Sequence, residues 1–155
     1  MAISVTIDPK WNIVNKIRNE ILTDNDIKNL SSELIDATIV TGIELLENSL
    51  RYSEQNVEKD TEINFSIKIV EKDIIVKISN YCSNLASINK VKEIIDELKI
   101  NDPFELYVNR MQEIQSNSDG FSRLGLLRIA YEGEFYLSYH INENIITIIA
   151  KREIK

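Results

Sequence analysis

The apolar residues of the chain follow two spacings in turn, one typical of strands and one typical of helices. Apolar residues at positions 3, 5 and 7 predict a short strand that ends at Asp8-Pro9. From Trp11 to Leu22 the spacing becomes three or four residues, which predicts a helix. The chain therefore begins with a strand followed by a helix.

The longest helical pattern begins at Ser31 or Ser32, either of which can cap it, and runs to about Tyr52. Its apolar stripe consists of Leu34, Ile35, Ile39, Ile43, Leu46 and Leu50. The opposite side carries Asp36, Glu44, Glu47, Asn48 and Arg51. This pattern predicts an amphipathic helix with one buried face and one hydrated face.

The rest of the chain continues the alternation. Residues 63–69 and 74–78 predict an antiparallel hairpin, and residues 135–140 and 145–150 predict a final pair of strands. Helical spacing appears at 88–98, after Asp102-Pro103, and at 124–130. Since no repeat or linker divides residues 1–155, we expect a single α+β domain. It should be a two-layer sandwich with a mostly antiparallel mixed sheet and helices on one face.

Charge and composition exclude several classes of function. Eighteen basic and 25 acidic residues give a net charge of -7, which is the wrong sign for a protein that grips nucleic acid. No apolar run approaches the ~20 residues of a membrane span and no secretory leader is recognisable, so we expect a cytoplasmic protein. With one cysteine, Cys82, and one histidine, His140, the chain lacks the ligands of a structural zinc site.

Glycine is scarce, and its positions matter more than its number. The four glycines are Gly42, Gly120, Gly125 and Gly133. A P-loop or a dinucleotide-binding fingerprint needs several glycines at fixed short spacings. Neither motif is present.

Glu44 and Asn48 lie four residues apart, which places both side chains on one face of the long helix. A carboxylate and an amide oxygen in this arrangement suit a hard cation such as Mg²⁺, and the carboxylate suits a general base. The alternative is that both belong to the hydrated face and have no function. For Glu47 and Arg51, at the same spacing, a surface ion pair is sufficient.

Two segments resemble motifs of one known family. Residues 44–53, Glu-Leu-Leu-Glu-Asn-Ser-Leu-Arg-Tyr-Ser, look like the N box, E-L-x-x-N-A-x-x-Y/H, of the histidine-kinase-like (GHKL, Bergerat-fold) ATPases. Residues 120–130, Gly-Phe-Ser-Arg-Leu-Gly-Leu-Leu-Arg-Ile-Ala, are similar to the second glycine box of that family. The order of predicted elements matches the family over nearly the full length. The resemblance therefore implies a histidine-kinase-like ATPase fold.

The resemblance also implies roles for individual residues. Glu44 would activate a hydroxyl or water, and Asn48 would be the Mg²⁺ ligand of an ATP site. The second glycine box, with Gly120, Leu124, Gly125 and Leu126, would hold the nucleotide phosphates, for which a helix N-terminus is suited.

The first glycine box departs from the family pattern D-x-G-x-G. Its equivalent here reads Asn80-Tyr81-Cys82-Ser83-Asn84. Asn80 still offers an acceptor oxygen to an adenine amino group, whereas Cys82 and Asn84 add side chains where the family has none. Asn80 and Asn84 are thus the candidate residues on this side of the nucleotide.

Residues 101–107 and 124–127 narrow the resemblance to short bacterial regulators of the anti-sigma-factor and partner-switching type. Such a protein binds a sigma factor, a STAS-type antagonist or a related signalling protein. It either binds Mg-ATP and phosphorylates a serine or threonine of the antagonist, or it is a non-catalytic binding module with a lost nucleotide site. Similar regulators are often dimers, so the resemblance is compatible with a homodimer. A metal-dependent hydrolase using Glu44 is a third interpretation.

Overall fold

The computed structural model describes residues 3–7, 13–54, 62–116 and 121–154. Nearly every predicted element is present, although Trp11 lies outside the described residues. The elements are β1 (Ile3–Ile7), α1 (Ile13–Thr23), a 3-10 turn (Ile27–Asn29), α2 (Ser32–Glu54), β2 (Ile63–Val70), β3 (Asp73–Tyr81), α3 (Leu85–Leu98), α4 (Pro103–Ser116), α5 (Phe121–Tyr131), β4 (Tyr136–Asn142) and β5 (Ile145–Glu153).

The five strands form one sheet in the order β1-β2-β3-β5-β4. In its centre Phe65 of β2 pairs with Ile78 of β3, which pairs with Ile148 of β5. Every pairing among these strands is antiparallel. The predicted α+β sandwich with a mostly antiparallel sheet is therefore confirmed, and each pairing of the described strands is antiparallel. β2–β3 and β4–β5 are hairpins, whereas β1–β2 and β3–β5 are neighbours joined through helices.

Within the described residues, the helices cover one face of the sheet and leave the other uncovered. Along β3, Ile74, Val76 and Ile78 are fully buried while Lys77 between them is exposed. The helices pack on the buried face, where one cluster of apolar side chains forms the core. Asn80 continues this inward row by two residues and is 3% exposed, so β3 carries a polar side chain into the core at its end.

Helix α2 is buried on more of its surface than the apolar stripe predicts. Ser31 caps it by accepting a hydrogen bond from the Leu34 amide at 3.2 Å. Because α2 contacts both β3 and α5, polar side chains on two of its sides lose contact with water. The fully or almost fully buried polar residues are Thr38, Thr41, Asn48 and Ser49. The assignment of Asn48 to the hydrated face was therefore wrong.

Gly42 sets how closely α2 lies against the sheet. A Cβ atom at this position would be 3.3 Å from Cζ of Phe65 and 3.5 Å from Cδ1 of Ile21. Both separations are at or below normal van der Waals contact, so the ring of Phe65 fills the space that a side chain would take. The same helix presents Glu44 and Asn48 within two turns of this contact.

Helix α4 begins where the sequence predicts, whereas α3 and α5 each begin three residues before the predicted start. Asp102 caps α4 by accepting from the Glu105 amide at 3.3 Å, with Pro103 in the first helical position. Within the described ranges, no helix has the length and apolarity to cross a bilayer.

Candidate functional site

Helices α2 and α5 meet at Gly125. A Cβ atom on Gly125 would lie 2.5 Å from Oε2 of Glu44 and 3.8 Å from Nδ2 of Asn48. A side chain at position 125 would collide with this carboxylate unless Glu44 moved, so the glycine allows the close approach of α5. The structure thus brings together Glu44, Asn48 and Gly125, three of the residues that the sequence singles out.

The other residues of the predicted second glycine box are placed differently. Leu124 lines the cleft beside Glu44, whereas Leu126 points into the core and is 1% exposed. Gly120 lies outside the described residues. The predicted roles of these residues in nucleotide binding stay predictions.

Glu44 is held by a cation that sequence reasoning did not single out. Arg128 Nη1 donates to Glu44 Oε1 at 2.9 Å, and Arg128 Nε lies 3.6 Å from Glu132 Oε2. The Glu44 side chain is 13% exposed. Burial raises the pKa of Glu44 above its ordinary value of 4.5, against the opposing attraction of Arg128. A carboxylate with a raised pKa is suited to proton transfer near neutral pH.

The raised pKa of Glu44 predicts a pH dependence of stability. The folded state holds this proton at pH values where the unfolded state has lost it, so the contribution is full below about pH 4.5. It is lost as the pH rises through the folded-state pKa. Between pH 4.5 and 7, urea denaturation should therefore show a smaller loss of stability for Glu44→Gln than for the wild type. Thr41→Val, which removes a buried hydroxyl of the same helix and changes no titratable group, is the control and should follow the wild type; equal pH slopes for Glu44→Gln and the wild type would contradict the assignment.

Asn48 is the most unusual residue of the site. It is 0% exposed, and neither Oδ1 nor Nδ2 has a hydrogen-bond partner among the described residues. An unsatisfied buried amide costs on the order of 1–3 kcal/mol per group, so its retention calls for an explanation such as an ion or ligand.

The chemistry of Asn48 fits Mg²⁺, which takes one or two protein oxygens and completes its shell with water and phosphate. No group of three His, Cys, Asp or Glu residues that could hold a metal occurs in the described part of the chain. A cation at Asn48 would therefore depend on the phosphates of a ligand for most of its coordination.

Asn80 is tied to α2 next to Asn48. The hydroxyl of Ser49 donates to Asn80 Oδ1 at 3.0 Å, and Asn80 Nδ2 donates to the carbonyl of Tyr81 at 3.1 Å. This pair fixes the end of β3 to the helix one residue after Asn48. Sequence reasoning did not single out Ser49, because a small polar residue beside Asn48 carries no periodic signal of its own.

Asn84 and Cys82 have structural contacts. Asn84 caps α3, its side-chain oxygen accepting from the Ser87 amide at 3.2 Å. Cys82 is 1% exposed, and burial raises the pKa of its thiol. The predicted role of Asn84 toward a nucleotide is not tested by these contacts.

The cleft at the site is small, with a volume of about 90 Å³. Its lining residues are Glu44, Glu47, Arg51, Leu124, Gly125 and Arg128. Ligand pockets usually measure roughly 300–1,000 Å³, so this space suits an ion or a few waters rather than a whole nucleotide. On its rim Arg51 lies 4.0 Å from Glu47, which confirms the predicted ion pair.

Comparison with known proteins identifies the fold. The chain matches no family model, and no curated protein is detectably similar to it. Among solved structures, a chain in the crystal structure of the SiaB–SiaC complex from Pseudomonas aeruginosa matches with a TM-score of 0.74, over 97% of this chain and 88% of that chain. The two are 13% identical, so the likeness is one of fold. Membership of the histidine-kinase-like ATPases stays a prediction.

Proposed function

We propose that this protein is a cytoplasmic signalling regulator that binds a protein partner and transfers phosphate from Mg-ATP to a serine or threonine of that partner. The observation that carries the proposal is Asn48, fully buried and unpartnered among the described residues, beside the partly buried Glu44. The fold neighbour, which was solved as a complex of two proteins, supports the partner. From the motif resemblance we propose a sigma factor or a STAS-type antagonist as the partner class, and a homodimer as the assembly.

Each residue of the site has a task in this reaction. Mg-ATP would supply the transferred phosphoryl group. Asn48 would provide one oxygen to that cation, and Gly125, which has no side chain, would let the phosphates approach the α5 backbone once Glu44 and Arg128 move apart. The oxygen of the partner's serine or threonine hydroxyl would form a bond to the γ-phosphorus, and the bond from that phosphorus to ADP would break. Glu44 would accept the proton that the hydroxyl loses. Arg128 balances the charge of Glu44 before the reaction.

A thermal melt with Mg-ATP tests binding. At ten times the dissociation constant a ligand stabilises the folded state by RT ln 11, about 1.4 kcal/mol. For a domain of this size we expect the melting temperature to rise by roughly 3–6 °C. Omitting Mg²⁺ should remove most of the increase, because the cation links the phosphates to Asn48.

Variants separate binding from transfer. Asn48→Ala should lose the Mg²⁺-dependent part of the shift, and Glu44→Gln should retain the shift and lose transfer of labelled phosphate to a partner. Glu93→Gln, which removes a carboxylate from α3, is the matched control and should retain both. Full transfer by Glu44→Gln would remove Glu44 from the mechanism.

A second candidate, the non-catalytic binding module, is favoured by the volume of the cleft and by the contacts that fill it. The volume of the cleft is about 90 Å³, and Arg128 forms an ion pair with the carboxylate of Glu44. The side-chain amide of Asn80 makes its hydrogen bonds to Ser49 and to the carbonyl of Tyr81. A melting temperature that does not change at millimolar Mg-ATP, together with retained partner binding, would favour this candidate.

A further inference from the structure

The face of the sheet opposite the helices is uncovered and has an unusual charge for this chain. Lys68, Lys77 and Lys151 are all exposed on it, although the protein as a whole carries a net charge of -7. The strand register places all three lysines on the same side, because residues paired across antiparallel strands share a face.

The lysines surround apolar side chains. One row across the sheet runs Lys68, Ile75, Lys151 and Tyr136, and the next runs Ser66, Lys77, Ile149 and Ser138. Ile75 and Ile149 are half-buried at the centre, and Tyr136 is 61% exposed at the side. The isoleucines thus alternate with lysines across the two central strands, and apolar side chains bordered by polar and charged ones are common at protein interfaces.

The charges on this face also indicate which partner fits. The outward carboxylates Asp73 and Glu153 lie at one end, where Asp73 is 3.4 Å from Lys151. Lys68 lies in the next row of the sheet, at the side of Ile75, and Lys77 lies one row further from the carboxylates. A second copy placed face to face would set lysines against lysines, which is unfavourable.

We propose that this uncovered sheet face, from Lys68 across to Tyr136, docks a protein partner through a surface of that partner with carboxylates around an apolar patch. The inference rests on the partner binding proposed above and is independent of the nucleotide site. Carboxylates on the partner would pair with Lys68 and Lys77, while Lys151 keeps its ion pair with Asp73 and the partner's apolar patch covers Ile75 and Ile149.

Site-specific photo-crosslinking in cells identifies the partner and its position. A benzoylphenylalanine at Ser66 or Ser138 should crosslink to a protein, and mass spectrometry should map the bond to an acidic segment of it. The same group at Lys90 on α3 is the control and should not capture that protein. Capture only at Lys90 would support partner binding but overturn the proposal that the partner docks on this face. Capture at none of the three positions would overturn both the docking face and the proposed partner binding.

Affinity then tests the charges with the purified captured protein. Lys68→Glu combined with Lys77→Glu should weaken binding at least tenfold, whereas Lys90→Glu with Lys92→Glu, an equal change in charge on α3, should alter it less than twofold. The melting temperature of each variant shows that it folds. Equal losses in both pairs would mean that only net charge matters, and capture of a second copy would assign the face to self-association; either result overturns the proposal.

Discussion

The variant Asn48→Leu should be more stable than the wild type, with a free energy of unfolding about 2–4 kcal/mol higher. Leucine has nearly the shape of asparagine, so it fills the same space between α2 and α5. The substitution removes two buried polar atoms that have no hydrogen-bond partner among the described residues. It also adds apolar contacts in a position that is 0% exposed. The melting temperature should rise by roughly 5–12 °C.

This gain should come at the expense of ligand binding. Under the proposed function Asn48 supplies an oxygen to Mg²⁺, and leucine cannot, so the Mg-ATP shift should disappear in Asn48→Leu. Thr41→Val is the matched control, because Thr41 is also fully buried, lies about two turns earlier on the same helix, and has a hydroxyl without a partner among the described residues. We expect Thr41→Val to stabilise by about 1 kcal/mol and to keep the shift. An Asn48→Leu protein less stable than the wild type would show that Asn48 has a structural role.

Asn48 also shows where sequence reasoning stops. The spacing within α2 correctly predicts the helix and its cap at Ser31, since both depend on neighbouring residues. Which side of the helix is hydrated depends on α5, which arrives from more than seventy residues later and covers Asn48 through Gly125. Ile35 and Ile39, placed by sequence in the apolar stripe, are only partly buried.

The same limit applies to the charges of the site. The i, i+4 pair of Glu47 and Arg51 could be predicted because it lies within one helix. The pair of Glu44 and Arg128 joins two helices, so nothing in the local sequence indicates it. The motif resemblance singled out residues 44–53 and 120–130, so it predicted that Glu44 and Gly125 belong to one site. The periodicity of apolar residues alone does not predict this.

The sheet was easier to predict than the site. Alternation of apolar and polar residues fixed the strands to within a few residues, although β5 runs to Glu153, past the predicted end at residue 150. Its last inward side chain, Arg152, is charged and donates to the carbonyl of Gly133 at 2.9 Å. A charged residue in that position breaks the alternation from which the strand was predicted.

The contact between Phe65 of β2 and Gly42 of α2 positions the site relative to the sheet. Phe65 is 1% exposed and is among the largest fully buried side chains described. Because its ring lies where a side chain on Gly42 would otherwise be, it sets the distance between α2 and the sheet. Glu44 and Asn48 follow within two turns, so their distance from Asn80 on β3 depends on this packing.

Phe65→Ala should therefore lower the free energy of unfolding by about 3–5 kcal/mol, measured by urea denaturation. Truncation loses the burial of the ring and leaves a cavity under α2 that the sheet cannot close. Phe104→Ala is the control: this side chain is 50% exposed on α4, and its loss should cost about 1 kcal/mol or less. Adding Gly42→Ala to Phe65→Ala should restore about 1 kcal/mol, since the new methyl group enters the vacated space and alanine favours the helix. If Gly42→Ala instead destabilises the double variant, the ring is not what keeps position 42 a glycine.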